Sequence, residues 1–84
     1  MADIARYKAN LAAFGQAIQR RREDAEITRD DLAAAAGTTV ERVEELEAGT
    51  LDADYDLLVD VARGLGADLS SLVLSAEALS ARSG

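Results

Sequence analysis

The sequence predicts an all-α fold, a single domain of five helices, and three observations carry that reading. The 84-residue chain has no Pro, few aromatics and abundant Ala and Leu, a composition that favours helices. Its apolar residues recur at alternating spacings of three and four, the period of one helix face. Thr, Asp and Gly stand at the edges of those runs, where helix starts and stops belong. A chain of this length has room for one hydrophobic core, so residues 1–84 are expected to form one domain.

The elements follow in order. Ile4, Tyr7, Leu11, Phe14 and Ile18 make one apolar seam and predict a long first helix over residues 3–25. Gly15 inside it is a tolerable loss of about 1 kcal/mol against Ala. Glu26 and Ile27 connect to Thr28, an N-cap with Asp31 in the capping-box position, which opens a second helix. That helix buries Leu32 and Ala33 and ends at Gly37, which suits a left-handed C-terminal position. Thr39 caps a third helix whose apolar positions are Val40, Val43 and Leu46, and Gly49 stops it. The polar loop 50–54 leads into a fourth helix with Leu57, Leu58, Val61, Ala62 and Leu65 on its inner face, bracketed at its end by Gly64 and Gly66. Asp68 caps a short fifth helix carrying Leu69, Leu72 and Val73. Ser75 starts a last turn through Leu79, and the Ser-Gly tail frays.

Composition also sets limits on chemistry. With neither Cys nor His, the common zinc sites, a disulfide framework, a thiolate nucleophile and a Ser–His pair are all excluded. No phosphate-binding Gly-rich loop is present, so the expectation is a non-enzyme with no cofactor and no metal. No apolar run approaches a membrane span and no signal-peptide pattern opens the sequence; the expectation is a soluble, cytoplasmic protein with no membrane partner.

The net charge of −7 is unevenly placed. Residues 28–56 hold Arg29 and Arg42 against nine acids, whereas residues 1–27 sum to +1 and residues 57–84 to −1. Nucleic-acid binders usually show the opposite footprint. The only basic run, Arg20, Arg21 and Arg22, has two readings: contact with phosphate, or complementation of a helix C-terminus, the second being favoured.

The stretch from Phe14 to Leu72 resembles the phage-repressor and Cro type (lambda-repressor-like) helix-turn-helix domain. The likeness lies in an ordered set: Phe14-Gly15, Ile18, Arg22, Ile27-Thr28, Leu32-Ala33, Gly37, Thr39, Val43, Leu46, Glu47, Gly49, Leu58, Val61-Ala62, Leu65-Gly66 and Leu69 to Leu72. On this reading residues 14–72 are the family-like core, 1–13 a helical extension that lengthens the N-terminal helix, and 73–84 a short tail.

The resemblance implies a small DNA-binding transcriptional regulator, bacterial or phage-derived, that engages double-stranded DNA as a homodimer. It implies a structural ion pair between Arg22 and Glu47. It places Thr28, Arg29 and Thr39 near phosphates, and Val40, Glu41, Arg42, Glu44 and Glu45 toward the major groove, Arg42 being the strongest base contact. Four positions depart from the family pattern: Arg29 replaces a usual Gln, Arg21 and Glu26 replace a usual Leu and Gly, and Ala53 replaces a common Pro. Glu41, Glu44 and Glu45 leave a second reading open, an acidic interaction module that keeps the fold, has lost DNA binding and engages a basic protein partner. Ile4, Tyr7 and Leu11 precede the family-like core, and two partners for their stripe stay open: a second chain, as a dimer seam, or the fifth helix of the same chain.

Overall fold

The computed structural model describes residues 10–83, and among them five helices and no strand: α1 Leu11–Asp24, α2 Arg29–Ala36, α3 Val40–Ala48, α4 Tyr55–Gly64 and α5 Leu69–Ser83. The expected all-α fold of five helices is what the described residues adopt. Each helix start is written locally. The side-chain oxygens of Asn10, Thr28, Thr39, Asp54 and Asp68 accept from the backbone N–H of Ala13, Asp31, Arg42, Leu57 and Ser71 at 3.1, 3.0, 3.2, 2.9 and 2.8 Å. A cap of this kind satisfies one otherwise orphaned donor and contributes about 1 kcal/mol.

The stops are local too. At the end of α2 the N–H of Thr38 returns to Ala33 C=O (2.9 Å) and that of Gly37 to Ala34 C=O (3.3 Å), with Gly37 at φ 69°. This is the Schellman arrangement, whose turning residue must be left-handed. The same pair of bonds closes α1, where Ile27 N–H reaches Arg22 C=O and Glu26 N–H reaches Glu23 C=O, both at 3.0 Å. There the turning residue is Glu26, at φ 58° and the only non-glycine with positive φ among the described residues. A side chain in that conformation costs about 1–2 kcal/mol.

α1 packs on α5 and α3, α2 on α4 and α3, and α4 on α5, so α3 and the α4–α5 contact together tie the two halves. Phe14, Ile18, Leu32, Val43, Leu58, Val61, Leu72 and Val73 are fully buried between them. Gly15 sits where α1 crosses α3. A Cβ at that position would meet the carbonyl oxygens of Leu46 and Glu47, the latter at 2.5 Å. Gly15 is therefore required for close helix approach, and the sequence reading of it as a mere loss of helix propensity is corrected.

Two further boundaries differ from expectation. The periodic seam suggested a helix running through residue 10, but Asn10 is non-helical (φ −151°, ψ 73°) and caps α1 at Leu11; the cap outweighs the apolar period. At the other end, residues 73–83 belong to α5 and are not a tail. Ser75, read as a helix start, instead donates its hydroxyl to Ser71 C=O at 3.1 Å, a bond that lets Ser sit inside a helix. Of the proposed seam, Ile4 and Tyr7 lie outside the described residues, and Leu11 is half-buried against this chain's own core.

Candidate nucleic-acid interface

α2 and α3 meet at the Gly37 corner, and an ion cluster joins their opposite ends, the first residue of α2 and the last turn of α3. Arg22 comes from α1 and Glu47 from the last turn of α3. Arg22 Nε donates to Glu47 Oε2 at 2.6 Å, Nη2 to Oε1 at 3.4 Å, and Nη1 to the Ile27 carbonyl at 3.0 Å. Taking a carboxylate out of water costs several kcal/mol unless its oxygens are well partnered. The side chain of Glu47 is 3% exposed, and both its oxygens are taken up. The Arg22–Glu47 ion pair is present as the resemblance implied.

The sequence did not reveal the second arginine. Arg29, the first residue of α2, donates Nε to Glu47 Oε1 at 2.9 Å, so one carboxylate holds two guanidinium groups. Its hydrogen bond first, and its charge second, raise the pKa of Arg29 above the ordinary value, with smaller contributions from Glu44 and Glu23 against a lowering by burial. A cation at the first turn of a helix is normally disfavoured by the dipole; the Glu47 carboxylate, with Asp30 and Asp31 in the same turn, compensates. Arg29 and Glu47 are far apart in sequence, and their contact depends on the angle at the corner, so no local spacing could have found it.

The other candidates divide into two groups. Thr28 and Thr39 are the caps of α2 and α3; each hydroxyl accepts from backbone and keeps its own hydrogen to donate. Val40 is half-buried against the core. Glu41, Arg42, Glu44 and Glu45 are all exposed on α3, a solvent face of three carboxylates and one guanidinium. The basic run separates in the same way. Arg22 is buried, Arg21 donates to Ser71 Oγ at 2.7 Å and Ser75 Oγ at 3.4 Å on α5, and Arg20 is exposed. Arg21 thus uses the place of an apolar residue to tie α1 to α5 through hydroxyls.

Among the described residues no group of three His, Cys, Asp or Glu side chains is arranged to hold a metal ion, and no helix is long and apolar enough to cross a membrane.

The profile of the helix-turn-helix domain family matches residues 13–72; the chain belongs to that family. Two crystal structures of the clp gene regulator ClgR from Corynebacterium glutamicum are similar to it. One is 31% identical, covers 86% of this chain and 80% of its own, and superposes with a TM-score of 0.78. The other is 30% identical, covers 80% and 87%, and gives 0.75. The restriction-modification controller protein C.AhdI from Aeromonas hydrophila shares the fold at 22% identity, covering 74% of this chain and 94% of its own with a TM-score of 0.72. No curated protein sequence matches this chain.

Proposed function

We propose that this chain is a small DNA-binding transcriptional regulator that docks α3 in the major groove of double-stranded DNA and acts as a cytoplasmic homodimer. The observation that carries the reading is the α2–Gly37–α3 corner, in a fold shared with the clp gene regulator ClgR at 31% identity. Thr28, Arg29 and Thr39 stand at the N-termini of α2 and α3, where unpaired N–H groups and the helix dipole favour phosphate. Arg42 is the base-reading candidate, with Glu41, Glu44 and Glu45 able only to accept, chiefly from cytosine N4. A dimer suits palindromic sites, and on α5 Leu74 is 61% exposed.

The test is selection from a random duplex library at low salt, followed by anisotropy titration of the enriched site. Enrichment of a palindromic site supports the reading, and Arg42→Ala should then weaken specific binding by about 1–3 kcal/mol. An equal loss on scrambled DNA would remove Arg42 from base reading. No enrichment from folded protein favours the second reading, an interaction module for a basic protein, which the exposed Glu41, Glu44 and Glu45 support. Replacing those three by Gln separates the readings: a repelled duplex binds more tightly, whereas a basic partner is lost.

A further inference from the structure

We propose that Glu47 is a positioning residue for DNA binding: held by Arg22, its carboxylate fixes the Arg29 guanidinium so that the outer Nη edge of Arg29 meets a backbone phosphate. The inference rests on the DNA-binding reading above and names a device within it.

Arg22 alone reaches both oxygens of Glu47, so the buried carboxylate is satisfied without Arg29. The second arginine adds a charge that the interior does not need: Arg22, Arg29 and Glu47 sum to +1, and the exposed Glu23 stands 4.0 Å from Arg22. Arg22, Glu47 and Arg29 differ in exposure. The side chain of Arg22 is 10% exposed and that of Glu47 3%, whereas that of Arg29 is 42% exposed. The guanidinium that reaches the surface is therefore that of Arg29, at the N-terminus of α2 beside Asp30 and Asp31.

The mode of attachment matters as much as the charge. Arg29 is held through Nε, and its two Nη groups have no hydrogen-bond acceptor among the described residues. A guanidinium offers its donors in a rigid planar fork, and the Nη edge matches two oxygens of one phosphate. Arginine normally loses much rotamer freedom on engaging a phosphate. Here the bond to Glu47 has ordered the group before DNA arrives. The rigid link back through Glu47 to Arg22 anchors the fork to α1.

Plain charge accounting and positioning make opposite predictions for Glu47→Gln. Removing a negative charge beside the interface should tighten DNA binding if Glu47 acts only through its field. If it positions Arg29, binding should weaken roughly two- to tenfold, on the selected duplex and on a scrambled one alike, because phosphate contacts carry no sequence information. The experiment measures both duplexes with the full chain as wild type, Glu47→Gln, Arg29→Ala and the double variant, each first shown to be folded by circular dichroism. Loss in the wild-type background that vanishes in the Arg29→Ala background supports the inference. Unchanged or tighter binding by Glu47→Gln, or an equal loss with Arg29 absent, overturns it. Arg29→Lys provides an arm that leaves the buried pair intact: it keeps the charge without the fork, and should also lose roughly two- to tenfold. Wild-type affinity in Arg29→Lys overturns the inference even where Glu47→Gln does not fold. If wild-type protein binds neither duplex at low salt, the DNA-binding reading itself falls and takes this inference with it.

Discussion

Glu44 and Glu47 stand one turn apart on the same short helix, yet they belong to different parts of the molecule. Glu44 lies on the solvent face with Glu41 and Glu45, where water screens its charge. Glu47 is buried and bonded by two arginines from two other helices. Counted along the sequence they are equal contributions to an acidic middle third. In the fold only one of them opposes an approaching anion, while the other organises the cations that would receive it. A charge tally thus overstates how hostile the α2–α3 surface is to DNA.

The largest effect that could break this contrast is truncation of the buried acid. Glu47→Ala leaves Arg22 buried without its counter-ion and should destabilise the domain by about 3–5 kcal/mol in urea denaturation, a large part of the total for a chain of this size. Glu44→Ala measured in parallel should stay within about 0.5 kcal/mol of wild type; equal losses would dissolve the distinction. Gly15→Ala comes next. It pushes a methyl against the backbone carbonyls of Leu46 and Glu47, which cannot rotate aside, and should lower stability by about 2–3 kcal/mol. A neutral result would mean that α1 and α3 can separate without disturbing the cluster. The smallest effect has the opposite sign. Glu26→Gly relieves a left-handed side chain and should stabilise by roughly 0.5–1 kcal/mol after the extra chain entropy of Gly is deducted. Loss of stability instead would show that Glu26 contributes something beyond a turn.

What the sequence made legible was whatever a few neighbouring residues decide. The caps at Thr28, Thr39 and Asp68, the left-handed Gly37 and the inner faces of α2, α3 and α4 could all be read from short windows. Arg22–Glu47 was accessible only through a family resemblance, because nothing in the spacing of the two residues joins them. The rest depends on how whole helices are set against each other. The Arg29–Glu47 bond needs the corner, the need for Gly15 comes from a crossing, and Arg21 finds its serines only because α5 lies alongside α1. The misplaced start of α1 has a different origin. A perfect apolar period ran through Asn10, and one side-chain oxygen stopped it.

Those side-chain oxygens have a consequence for how the molecule assembles. Every helix among the described residues begins with a hydrogen bond spanning three residues, and α1 and α2 end with bonds spanning three and five. The limits of the rods are thereby encoded in short windows of sequence, while helices this short are held by packing on one another. Chains dominated by such short-range contacts reach the native state in about microseconds to milliseconds. The partners furthest apart along the chain are Asn10 with Ser80 and Arg21 with Ser71 and Ser75, so the seam between α1 and α5 carries the largest loop-closure cost.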